Sequence, residues 1–130
     1  MKIRLGDQPG VLINLPSKKP GEGTILSGKA SANLQALKCS QNVEFDVSVV
    51  QKFRNDLEKM HVTLKGGTSL ISRCKTFEAI LEMTLVGHVS VQLSMSTSEF
   101  RQTRDIQWKA SGYFTFEPSK IKKIVQDVVD

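Results

Sequence analysis

From Phe77 to Met95 the chain alternates apolar and polar residues almost without a break, and this stretch limits the choice of fold more than any other. Phe77, Ala79, Leu81, Met83 and Leu85 alternate with Glu78, Ile80, Glu82 and Thr84. After Val86-Gly87-His88, the residues Val89, Val91, Leu93 and Met95 alternate with Ser90, Gln92, Ser94 and Ser96. A period of two sends successive side chains to opposite faces, so each run is a strand with one buried face, and the glycine-containing break makes the pair a hairpin. Antiparallel sheets of this kind bury one face and leave the other to solvent.

The same pattern recurs elsewhere. Ile3 and Leu5, the turn residues Gly6 to Gly10, and Val11 to Leu15 predict a first hairpin. Residues 16 to 23, with two Pro, two Gly and two Lys, predict a loop. Ala30, Ala32, Leu34 and Ala36, then Val43, Phe45 and Val47, predict a second hairpin that turns at Cys39 to Asn42. Then the period changes. Val49, Val50, Phe53, Leu57 and Met60 recur at helical spacing behind a capping box at Ser48 and Gln51, which predicts a helix over 48–60.

Val62 to Ser72 reads as a strand, with a bulge or bend at Gly66-Gly67. Residues 96 to 105 form a polar loop. Ile106, Trp108, Ala110, Gly112, Phe114 and Phe116 share one strand face, with a bend at Gly112. Pro118 and the stripe Ile121, Ile124, Val125 and Val128 predict a closing helix over 118–129. No sequence repeat is visible.

The order strands, helix, strands, helix predicts a single α+β domain over 1–130. The expected sheet is mostly antiparallel, with about seven strands, strongly bent or paired as a sandwich. The expected core includes Phe45, Phe53, Leu57, Leu81, Leu85, Val91, Trp108, Phe114 and Phe116.

Residues that could carry chemistry are few and scattered. His61 and His88 are the only histidines and form no H-x-x-x-H pair, and Cys39 and Cys74 form no C-x-x-C. Glu78 and Glu82 share a polar strand face, where carboxylates usually serve solubility. Gly66-Gly67 beside Lys65 does not complete a phosphate-binding loop. The expectation is therefore a protein that is not an enzyme, with no cofactor and no metal. Both thiols are expected to be reduced. With no apolar leader after Met1-Lys2 and no apolar run long enough to span a bilayer, the expected location is cytoplasmic.

The net charge of +5 is uneven. Residues 1–43 hold six basic and two acidic side chains, whereas 44–82 hold six of each. Such an excess attracts nucleic acid or an acidic protein, and it also serves as ordinary solubilising charge. Most of the Phe residues, and Trp108, fall on apolar faces, which leaves no stacking platform for bases. Lys18-Lys19 and Lys120-Lys122-Lys123 are short basic clusters that read most simply as solvated.

One longer pattern is familiar. Gly67 to Ser72 precedes Phe77 to Thr84, then come Gly87-His88-Val89-Ser90-Val91 and Trp108 with Phe114 and Phe116, closed by a helix led by Ile121. With the earlier helix carrying Phe53 and Leu57, this resembles the WapI-like immunity proteins of bacterial contact-dependent toxin systems. The resemblance covers about half of the chain and departs from the family pattern at Glu117-Pro118-Ser119. It implies a protein that binds the C-terminal domain of a cognate toxin, commonly a nuclease, and blocks it, with no catalytic residues of its own. The contact surface expected on this reading is the polar face carrying Glu44, Asp46, Glu78 and Glu82, with the adjacent loop holding Arg101 and Arg104. A small basic nucleic-acid-binding module is the alternative.

Overall fold

The computed structural model describes residues 1–16, 24–96 and 108–128. Among them, eight strands form two antiparallel four-stranded sheets, where the sequence predicted about seven strands. The first sheet is the meander β1 (Lys2–Gly6), β2 (Gly10–Asn14), β3 (Ile25–Asn33) and β4 (Lys38–Asp46), followed by helix α1 (Val47–Thr63). The second is the meander β5 (Gly67–Ile71), β6 (Phe77–Met83), β7 (Val89–Ser96) and β8 (Lys109–Phe116). A 3₁₀ turn at Pro118–Lys120 then leads into α2 (Ile121–Asp127).

The chain thus runs the same order of elements twice, four strands and a helix, without any repeat in the residues. Each helix packs against the first strand of the other half, α1 on β5 and α2 on β1, and the two helices touch. That exchange lets one contiguous core form from both sheets and both helices. In the second sheet the register aligns Leu81, Val91 and Phe114 on the inner face. In the first it aligns Ile3, Ile13 and Ala30. The small side chains Ala30 and Ala32 are fully buried, which lets the layer above approach closely. Val50, Phe53, Leu57 and Met60 turn one stripe of α1 into the same core.

Several boundaries differ from the sequence reading, each for a local reason. The β3–β4 turn falls at Leu34 to Leu37 and not at Cys39 to Asn42. The Asn33 side chain accepts a hydrogen bond from the Gln35 amide at 3.2 Å, Gln35 takes φ +68°, and Leu34 N–H donates to the Leu37 carbonyl at 2.8 Å. α1 starts at Val47 and its N-cap is Asp46, without a side-chain cap, so Ser48 and Gln51 lie inside the helix. The Asp46 carboxylate instead sits 3.4 Å from Arg73. The helix then runs through Val62 to Thr63, and Leu64 ends it in the left-handed region at φ 54°. Gly66, at φ 88°, belongs to the turn into β5 and not to a bulge inside a strand.

Two expected core residues lie elsewhere. Leu85 is fully exposed, because β6 stops at Met83 and Thr84 to His88 close a turn. Thr84 N–H donates to the His88 carbonyl at 2.7 Å, and His88 N–H donates to Thr84 Oγ1 at 3.1 Å. Trp108 is half-buried at the margin of the core, just ahead of β8. Phe45, Phe53, Leu57, Leu81, Val91, Phe114 and Phe116 are all buried as expected. At Gly112 a Cβ would come within 2.8 Å of Leu34 Cδ1, so this glycine makes room for a packed side chain. Ile106, the 96–105 loop beyond Ser96, and Val129 lie outside the described residues, as do Lys18 and Lys19.

α1 is fastened to β5 by Asp56, whose carboxylate accepts from Lys52 at 2.8 Å and from Thr68 Oγ1 at 3.0 Å. The Lys52 hydrogen bond lowers the Asp56 pKa, and the Thr68 hydrogen bond adds to the lowering against the opposing effect of burial. A depressed folded-state pKa gives stability that is present above the ordinary aspartate value of about 3.9. That stability is lost as pH falls through the folded value. Asp56→Asn is expected to cost about 1–2 kcal/mol at pH 7. Urea unfolding at pH 7 and in acid below the depressed Asp56 value checks this: the variant and the parent should converge there, and an equal gap at both pH values contradicts it.

Candidate functional site

The two sheets turn outer faces of opposite character to solvent. On the second sheet the register sets Ser69, Ile80, Gln92 and Tyr113 in one row. On one side of it runs Ile71, Glu78, Ser94 and Ser111, and on the other Glu82, Ser90 and Thr115. Tyr113 is 63% exposed and Ile80 36% exposed, although both lie on the face opposite the core. Glu78, Ile80, Gln92, Ser94, Lys109 and Tyr113 border a shallow concavity of about 590 Å³. Small hydroxyl side chains leave the aromatic ring and the carboxylates standing above the sheet.

This face runs toward an apolar tip. Beyond Met83 the turn lifts Leu85 and Val86 into solvent, and the end of α1 does the same for Val62 and Leu64. The two segments are tied together, since Met83 N–H donates to the Gly66 carbonyl at 2.9 Å. Exposed aliphatic side chains collected in this way mark interaction surfaces more often than scattered single ones do.

The outer face of the first sheet is basic. Lys2, Asn14, Lys29 and Asn42 form one cross-strand row, and Arg4, Leu12, Ser31 and Ser40 form the next. A third row places Lys38 opposite Asn33. All four cations are exposed.

The expected contact residues are divided between the sheets. Glu78 and Glu82 stand on the outer face of β6, whereas Glu44 and Asp46 stand on the outer face of β4. Glu44 and Asp46 are joined by Arg73, a residue of the β5–β6 turn that sequence patterning gave no reason to single out. Its guanidinium lies 3.4 Å from Asp46 and 3.9 Å from Glu44, and its N–H donates to the Glu44 carbonyl at 2.8 Å. Arg101 and Arg104 lie outside the described residues. The sequence reading did not single out Tyr113 or Ile80; the signal for each was parity, since both alternate with core residues.

The chemical groups are dispersed. Among the described residues no cluster of three or more His, Cys, Asp or Glu side chains is placed to hold a metal ion. His88 Nε2 is 3.6 Å from Glu117 Oε1, with both groups exposed. Cys39 Sγ rests 3.8 Å from Met95 Sδ, and burial pushes its thiol pKa up, which lowers its reactivity. Cys74 is free and exposed. Among the described residues, no helix is long and apolar enough to cross a membrane. Compared with protein-family models, with curated proteins and with solved structures, the chain matches none.

Proposed function

We propose that this protein is an immunity protein, which binds the C-terminal domain of a cognate bacterial toxin and neutralises it by covering its surface, without catalysis. The observation that carries the reading is the outer face of β5 to β8. There Tyr113 and Ile80 stand exposed between Glu78 and Glu82, and the face continues toward the tip formed by Leu85 and Val86. A tyrosine standing in an open polar row has the character of an interface anchor, because it contributes large contact area at low entropic cost. The two glutamates outnumber the one cation beside them, Lys109, and give the face local acidity in a basic chain, which complements the cationic surface with which a nuclease holds its substrate. An interface burying about 1,600 Å² would cover this sheet face and the tip.

The test is co-expression with the C-terminal domain of a long exported protein encoded beside this gene, followed by gel filtration of the pair. The expected result is protection of the cells and a stable complex. Tyr113→Ala should weaken the complex about 30-fold, corresponding to about 2 kcal/mol for an anchor residue. The paired change Glu78→Lys and Glu82→Lys should slow association. Glu44→Lys, on the other sheet, should leave affinity within a factor of about three, a surface-substitution effect. Equal killing with and without this chain, with no complex recovered, contradicts the proposal.

A further inference from the structure

We propose that the outer face of the first sheet is a second binding site, which takes the phosphodiester backbone of single-stranded nucleic acid. Lys2 and Arg4 project from β1, Lys29 from β3 and Lys38 from β4, all on the face away from the core. Strand spacing places Lys2 and Lys29 about 10 Å apart across the sheet, and strand rise places Lys2 and Arg4 about 7 Å apart along it. Among the described residues none of these four cations is held in an ion pair. Arg4, Leu12, Ser31, Asn33, Lys38 and Ser40 border a shallow concavity of about 530 Å³.

The side chains between the cations are the kind that contact phosphate and sugar. Asn14, Asn42, Ser31 and Ser40 supply amide and hydroxyl donors. Among the described residues the nearest carboxylates are three. Asp7 borders the same concavity, and Glu44 and Asp46 lie beyond Asn42 on β4, where Arg73 pairs with both. Among the described residues the face carries no aromatic side chain, so binding through them is electrostatic and independent of base sequence. Among the described residues it also carries no projecting helix or ribbon to enter the groove of a duplex, which favours a single strand lying across the sheet. The site belongs to a different sheet from the proposed toxin-binding face and does not depend on that reading.

The probe is a fluorescently labelled oligo(dT) of about 20 nucleotides, followed by anisotropy with the full chain between 50 and 200 mM salt. Three to four phosphate contacts give a log–log salt slope of about −2 to −3, at about −0.7 per contact for a single strand. Arg4→Glu with Lys29→Glu should weaken binding at least tenfold and flatten the slope by about 1.4, the share of two contacts. Lys59→Glu with Lys122→Glu, on the helices, changes net charge by the same amount and should leave affinity within about threefold, a nonspecific electrostatic effect. Circular dichroism melts confirm that both variants fold. The inference is overturned by no binding at the lowest salt, by equal loss in the two double variants, or by tighter binding of a duplex of the same length. Binding to phosphatidylserine vesicles but not to the oligonucleotide overturns it as well. Toxin neutralisation by the Arg4→Glu, Lys29→Glu variant should persist, so failure here is separable from failure of the inhibitor reading.

Discussion

Truncating Phe45 to alanine is expected to destabilise the protein by about 3–5 kcal/mol, the usual range for removing a buried phenylalanine. Phe45 lies one residue before the end of β4 and is fully buried, and its ring meets that of Phe77, at the start of β6, edge to face. The centroids are 5.9 Å apart and the rings are 87° from parallel. The contact joins the two halves of the chain, so its loss leaves a cavity where neither meander can close by itself. An edge-to-face pair contributes about 0.5–1.5 kcal/mol beyond its buried area, and the Phe77→Ala double-mutant cycle should recover that coupling. Leu85→Ala is the control. Leu85 is fully exposed, and its truncation should change stability by no more than about 0.5 kcal/mol. Urea unfolding measures all five proteins: the parent, the two single Phe variants, the double variant and Leu85→Ala. A Phe45→Ala cost below about 1 kcal/mol, or a Leu85→Ala cost equal to it, contradicts this account of the core.

The contrast between Phe45 and Leu85 shows what alternation tells and what it leaves out. Alternation assigns faces, and it placed Leu81, Val91, Phe114 and Phe116 correctly on the inner side. It does not say where a strand stops. Leu85 keeps the parity of Phe77 to Met83, but the hydrogen bonds of Thr84 with His88 end the ladder before it. The same limit explains the β3–β4 turn. Leu34 and Ala36 continue the pattern on paper, but the Asn33 side chain and the left-handed Gln35 reverse the chain first. Helical periodicity identified α1, whereas its first residue was set by the continuous passage from β4 and by the engagement of Asp46 with Arg73.

The repeat of four strands and a helix was invisible in the residues for a physical reason. The halves share a pattern of burial, and burial accepts many different side chains at one position. α1 buries Val50, Phe53, Leu57 and Met60 over 17 residues, while α2 buries Ile121 and Ile124 over seven. Tyr113 joins the face of Glu78, Ile80 and Glu82 only through the β6–β7–β8 register, but parity also put those three on one face of β6, so that part of the surface was legible. The division of the acidic residues between two sheets was not, because it depends on pairing between distant strands. Nor was the basic face. Lys2, Lys29 and Lys38 are far apart in sequence and come onto one face only through the β1–β2–β3–β4 register.

That register depends on a residue with no side chain, and Gly28→Ala is expected to cost about 2–3 kcal/mol, in the range found for overpacked positions. Where space is open and the backbone is compatible, Gly→Ala normally stabilises by about 0.4–1 kcal/mol by restricting the unfolded chain, so the sign of the effect is diagnostic. Gly28 lies in β3 beside the end of β2. A Cβ there would collide with the Asn14 carbonyl oxygen and come within 2.9 Å of Leu15 Cδ2 and 3.0 Å of the Asn14 carbonyl carbon. The obstruction is mainly backbone, and Asn14 is paired with Lys2 on one side and Lys29 on the other. Relief therefore requires the end of β2 to move away from β3, which spreads the row of Lys2, Asn14 and Lys29. Gly87→Ala separates collision from backbone preference. Gly87 has φ +83° with nothing within 4 Å of a Cβ, so its substitution should cost only the left-handed penalty of about 1–2 kcal/mol. Thermal and urea unfolding of the two variants should rank Gly28→Ala as the more damaging. A Gly28→Ala protein as stable as the parent or more stable would show that β2 and β3 do not approach as closely as the register requires.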